Sequence, residues 1–149
     1  MEACVSPETL FAVANPLALA GWIVLAASPW MPRLADRVAG FGIPLLLSLV
    51  YAALILAFWA GAEGGFDSLP NVMRLFAQPE IALAGWLHYL AFDLFIGAWE
   101  VRVARREAIP HLLVLPCLAL TFLFGPVGLL LFFGLRLARR SISPEAAHG

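Results

Sequence analysis

Inside the apolar stretch 79–101, PEIALAGWLHYLAFDLFIGAWEV, stand a histidine, His88, and two carboxylic acids, Asp93 and Glu100, with Trp86 and Tyr89 between and before them. A protonated Asp93 can donate a proton in an apolar site and a neutral His88 can accept one. That division of labour is what an acid–base isomerisation needs. Carboxylates at membrane depth cost about 2.5–3.5 kcal/mol on insertion scales, so such groups mark function by default. On a helix of about 100° per residue, Trp86, Asp93 and Glu100, spaced by seven, share a stripe flanked by Tyr89 and Gly97. His88 falls about 140° from Asp93, on a face with Phe92, Phe95 and Trp99. For both groups to act together, the helix must be buried on two sides or a ligand must reach around it. The alternative is structural: Asp93 bonds Tyr51, Asn15 or a kinked backbone and glues helices together, and His88 bonds a carbonyl across a helix pair.

The elements that must position these groups follow from composition. Of 149 residues, 62% are hydrophobic and 13% charged, against about 45–50% and about 25% in soluble domains. The surplus faces lipid, and membrane lipid is the first expected partner. Net charge is −1 and there is no long basic run, so nucleic acid is not an expected partner. All nine basic residues are Arg, which together with abundant Ala, Leu, Gly and Pro suggests a GC-rich, bacterial genome and a bacterial cytoplasmic membrane. Cys4 and Cys117 form no CxxC, and His88, His111 and His148 share no ligand spacing, so neither a metal nor a redox site is expected. Nucleophile elbow, phosphate loop and dinucleotide fingerprint are absent from the sequence.

The pattern predicts an all-α fold, a single integral membrane bundle over 1–140 with four transmembrane helices at about 9–27, 41–61, 80–101 and 112–137. The acidic start MEACVSPE lacks the positive n-region of a signal peptide, so the first helix is expected to be retained. Ser6-Pro7-Glu8 reads as its N-terminus, and Asn15-Pro16 as a kink inside it. Residues 28–40 read as a loop. Residues 69–76, LPNVMRLF, read as a short amphipathic surface helix presenting Leu69, Val72, Met73 and Phe76 on one face. The fourth segment is interrupted by Gly125-Pro126-Val127-Gly128 and is expected to cross as a kinked span. Residues 141–149 read as a disordered tail. With four spans, the arginines divide four to five between the two sides and leave orientation undecided; a homo-oligomer is left open.

The run Gly85-Trp86-Leu87-His88-Tyr89-Leu90-Ala91-Phe92-Asp93-Leu94-Phe95 resembles the W-x-H-x-L-x-x-D-L-F core of the abscisic-acid-deficient-four family of small four-span membrane proteins. Similarity extends to 11–22 (FAVANPLALAGW), 73–76 (MRLF) and 124–128 (FGPVG). The resemblance implies neoxanthin-synthase-like chemistry, in which an epoxy-carotenoid is isomerised to an allene. Its epoxide oxygen is protonated, a ring-adjacent proton is lost and no redox cofactor is consumed. On that reading the ligand is a carotenoid or related polyene, with Asp93 as acid and His88 as base or its orienter. Asn15, Tyr51, Trp86, Tyr89, Phe92, Trp99 and Glu100 would line the substrate site. Two rival readings are a non-catalytic carotenoid-binding or assembly protein, with Phe92, Phe95 and Trp99 as its groove, and a small proton-coupled transporter using Asp93.

Overall fold

The computed structural model describes residues 6–142, which form six helices and no strand. The first, α1, is Pro7–Ala26. Its start is as expected: the Ser6 side chain accepts from the Thr9 amide at 3.2 Å, filling one of the unpaired first-turn donors. Next, α2 runs Pro32–Gly61, built from Pro32–Leu34, a π-helical stretch Ala35–Gly42, the α-helical Ile43–Phe58 and a closing 3-10 turn Trp59–Gly61. The expected loop over 28–40 is therefore only a short turn. The chain from Arg33 to Val38 has no breaker, and the π-helical stretch carries Gly40 and Gly42 through without ending the helix.

The short helix α3, Leu69–Phe76, is present where expected. It packs differently, however: Leu75 is the buried residue, while Leu69 and Met73 are exposed. The long α4, Pro79–Arg106, extends five residues beyond the expected span. It is the axis of the molecule, contacting α1, α2, α3 and both later helices. In lipid, helices gain little from hydrophobicity and depend on close approach through small residues. Ala84, Ala91 and Ala98 repeat every seven residues along α4 and are buried, with Ala98 close against Gly40 of α2; Ala14, Ala18 and Gly21 are the buried small residues of α1, and Gly21 meets Leu94 of α4. The fit is tight enough that a Cβ on Gly97 would sit 2.6 Å from the Trp22 ring.

The fourth hydrophobic segment is not one helix. It is two helices, α5 (His111–Phe124) and α6 (Pro126–Ile142), separated by Gly125 at φ +41°. A continuous helix would carry Arg136 roughly 37 Å from His111. Instead Arg136 Nε donates to Glu107 Oε2 at 2.8 Å, at the mouth of α5, and Arg140 reaches Glu107 at 3.0 Å. So α6 folds back along α5. Phe132 and Phe133 of α6 accordingly rest on Trp99, two turns before Glu107. A Cβ on Gly128 would lie 2.1 Å from the Thr121 amide nitrogen, so the hairpin closes only around a bare backbone there. The reason is local: Pro126 has no amide to continue α5, and Gly125 takes the left-handed conformation that side chains disfavour. At about 1.5 Å per residue, the 14-residue α5 descends only about 21 Å. That is short of the roughly 30 Å hydrocarbon core.

Three helices are thus long and apolar enough to span: α1, α2 and α4. Where a kinked fourth span was expected, the chain forms a helical hairpin of α5 and α6. Large side chains left exposed, such as Leu56 at 85% and Ile23 at 62%, suit lipid and not water. Residues 141–142 belong to α6, so the expected tail does not begin at 141; 143–149, with His148, and Cys4 lie outside the described residues.

Ionic contacts tie the ends of these elements together. Arg105 bonds Asp36 at 2.5 Å, joining the end of α4 to the π-helical stretch. His111 donates to the Ala26 carbonyl at 2.9 Å, closing the end of α1. Hydrogen bonds from Arg136, and then from Arg140, hold the Glu107 carboxyl down at about 2. A depressed value stabilises the fold fully above the ordinary carboxylate range and loses that contribution as pH falls through about 2. We expect the thermal midpoint of wild type in detergent to drop more steeply between pH 5 and 2 than that of Glu107→Gln. Parallel curves would exclude this pair as the cause. The hairpin itself predicts that single cysteines at Leu137→Cys and Trp30→Cys react with an impermeant maleimide from the same side of the membrane. A fourth crossing would place them on opposite sides.

Candidate functional site

The polar stripe of α4 is directed at α1 and at the broken hairpin. At its entry end, Trp86 Nε1 donates to Asn15 Oδ1 at 3.0 Å, and Asn15 Nδ2 donates back to the Phe11 carbonyl at 2.7 Å. Asn15 therefore serves both its own kinked helix and α4. One turn on, the Tyr89 hydroxyl donates to the Phe122 carbonyl at 2.8 Å. In a regular helix that carbonyl would receive the amide of residue 126, which is Pro126 and has none. Tyr89 thus satisfies a backbone group orphaned by the hairpin.

Asp93 meets the turn itself. A Cβ on Gly125 would lie 2.9 Å from Asp93 Oδ1 and 3.0 Å from Oδ2, so glycine alone admits the carboxyl so close to the backbone. The carbonyl end of α5 and the amide end of α6 both terminate here. Asp93 Oδ2 is buried and has no hydrogen-bond partner. Two turns further, Glu100 is fully buried and both its oxygens accept from the Thr121 hydroxyl, at 3.0 and 3.2 Å. Glu100 was expected to line a substrate site. The structure places it inside the packing between α4 and α5, paired with Thr121.

The opposite face of α4 carries His88. Its ring stacks on Phe92 (4.3 Å between centroids, 8° between planes) and meets Tyr51 edge-on at 5.7 Å. With Tyr51, Ile55, Trp59, Phe76 and Gly85 it borders a cleft of about 520 Å³ between α2, α3 and α4. Phe92 and Phe95 line a separate groove of about 280 Å³ with Phe41 and Pro44. Trp99, expected on the same ligand face, is covered by Phe132 and Phe133.

His88 and Asp93 are therefore not brought together. His88 faces α2 and α3; Asp93 faces the hairpin. Beside the Asp93 stripe, between α1, α4 and α5, lies a second apolar cleft of about 490 Å³ whose walls include Asn15, Leu19, Trp86, Tyr89, Phe122 and Leu123. Among the described residues, no three His, Cys, Asp or Glu side chains gather as a metal site would require.

Sequence reasoning missed Thr121 and Gly125 as partners of the stripe. The signal existed for Thr121, a lone hydroxyl between His111 and Arg136 in an otherwise apolar segment. Pairing it with Glu100 required knowing how deep the hairpin goes.

A family model for the ABA4-like family, described as ABA DEFICIENT 4-like, matches residues 9–132. That range holds the α4 stripe and the hairpin as far as Phe132. Neither the curated proteins nor the solved structures yield a match.

The pairing of Glu100 with Thr121 makes a prediction about stability. Thr121→Val leaves a buried acid without its donor and should cost about 1–3 kcal/mol, while Glu100→Gln keeps an acceptor for Thr121 and should cost less. Thermal unfolding of the two variants in detergent tests this, and equal losses would refute it.

Proposed function

The chain belongs to the ABA4-like family, and from that premise we propose that it modifies a carotenoid or related polyene within the membrane by proton transfer at Asp93. The observation that carries this reading is the buried, partnerless Oδ2 of Asp93. Each of its neighbours on the stripe is already bonded: Trp86 to Asn15, Tyr89 to Phe122 and Glu100 to Thr121. Structural glue accounts for them; the Tyr89 hydroxyl also lies beside the Asp93 carboxyl, and Oδ2 is the oxygen left over. An interior carboxyl with an open position, at the tip of a re-entrant hairpin, is where a substrate oxygen would bond.

The cleft lined by Tyr89, Trp86 and Asn15 has room for a ring-sized end group, and Asp93, one helical turn from Tyr89, lies behind its wall, so a substrate oxygen would reach it past Tyr89. The rest of a polyene lies along the lipid-facing surface of α1 and α5. For the neoxanthin-type reaction, Asp93 protonates the epoxide oxygen, the carbon–oxygen bond breaks, and the resulting carboxylate removes the ring-adjacent proton as the allene forms. The acid is regenerated and no electrons change hands. His88, on the other face, is not the base for this substrate. It lines its own cleft with Tyr51, where its role is positional for α2 and α3.

The test is chromatography of pigments extracted from a carotenoid-producing host. Wild type should generate a new isomer. Asp93→Asn should lower its yield by at least the roughly 100-fold that positioned acid–base groups contribute, while His88→Ala retains most of it. An unchanged pigment profile, with carotenoid co-purifying equally with wild type and Asp93→Asn, would replace the enzyme reading by that of a binding protein.

A further inference from the structure

The re-entrant hairpin changes where the charges are. Counted on four spans, the arginines divide almost evenly between the two sides. With the hairpin returning to the end from which it entered, Arg136, Arg139 and Arg140 join Arg33, Arg37, Arg102, Arg105 and Arg106. The contacts fix this grouping: Arg105 holds Asp36 at 2.5 Å, Arg136 and Arg140 hold Glu107, and a Cβ on Gly40 would lie 2.6 Å from the Arg102 guanidinium. Eight of nine arginines thus stand at one end, with Asp36 and Glu107 as the carboxylates among them. Both carboxylates are already paired. Arg33, Arg37, Arg106 and Arg139 are exposed and have no carboxylate partner among the described residues.

The other end is the reverse. It holds Arg74, which donates to Asn71, together with Glu8, Glu63, Asp67 and Glu80. One end of a three-span body is therefore strongly cationic and the other acidic. Guanidinium groups bind phosphate through paired N–H donors, and a cluster of them beside spanning helices is the charge complement of an anionic lipid surface. Basic residues flanking spans also resist translocation, which sets orientation when they lie this unevenly.

We propose that the arginine end seats on the phosphate headgroups of anionic phospholipids in the non-translocated leaflet, so that the acidic end, with α3 and the start of α1, is the translocated one. Trp30, 81% exposed beside the arginines, sits where an interfacial aromatic anchor belongs. On this placement the 62–78 connection and the His88 cleft beneath α3 open toward the translocated side, and the hairpin enters from the arginine side.

Two measurements decide it, both on the full chain. In a Cys4→Ser, Cys117→Ser background expressed in bacterial cells, Glu63→Cys should react with an impermeant maleimide before lysis, and Trp30→Cys only after it. The reverse pattern, or equal labelling of both, would overturn the orientation. Wild type reconstituted in phosphatidylglycerol bilayers at low salt should melt several degrees above wild type in phosphatidylcholine, a gain that shrinks at high salt. The combined Arg33→Gln, Arg37→Gln, Arg106→Gln, Arg139→Gln variant should lose it. Equal wild-type midpoints in the two lipids would overturn the headgroup contact, and that comparison stands whether or not the variant folds.

Discussion

Backbone carbonyls and amides at membrane depth have no water to bond, and a helix that stops there must find partners inside the protein. The turn at Gly125 is such a stop, and the polar stripe of α4 is built around it. Tyr89 answers the carbonyl that Pro126 leaves open, Thr121 ties the descending helix to Glu100, and Gly128 lets α6 start against α5 with bare backbone. Remove that constraint and the stripe has no structural reason to hold Tyr89 and Glu100 in so apolar a helix. The hairpin needs the stripe, and the stripe is tolerable only because the hairpin covers it.

This mutual dependence separates support from chemistry. Polar groups in a membrane protein are easily read as a single site because they are rare. Here most of them are explained by one another, and the pairing leaves Asp93 as the group whose oxygen is enclosed and unanswered. The same packing sets Trp99 against Phe132 and Glu100 against Thr121. His88 belongs to another neighbourhood, with Tyr51 and Phe92, and the helix between it and Asp93 is packed by α2 on the His88 side and by the hairpin on the Asp93 side. An acid and a base five residues apart in sequence are, in a regular helix, addressed to different partners.

A short hairpin in place of a fourth crossing also redistributes charge. The reversal of α6 brings the arginines after the last hydrophobic segment to the same end as those of the first turn and of the α4 terminus. That end is then clipped by Arg105 to Asp36, Arg136 to Glu107 and His111 to Ala26. These contacts lie where lipid gives way to water, so each is individually weak. They act together as a rim that holds the mouths of α1, α2, α4 and the hairpin in register.

Much was legible in the amino-acid order alone. Apolar content and segment length required helices in lipid, Ser6-Pro7-Glu8 marked the first N-terminus, and the W-x-H-x-L-x-x-D-L-F core marked both α4 and the family. The seven-residue spacing of Trp86, Asp93 and Glu100 fixed a common face, because helical geometry is local. The path of the chain after Phe124 was not legible. Gly-Pro-Val-Gly permits a kink or a reversal, and the reversal rests on contacts of α6 with residues nearly thirty or more positions earlier: Arg136 with Glu107, and Phe132 and Phe133 with Trp99. From that reversal follow the covering of Trp99 by Phe132 and Phe133 and the return of Arg136 and Arg140 to Glu107. Local sequence determined which residues share a helix face; only the tertiary structure decided what that face meets, since the energy of a buried polar group lies in its partner.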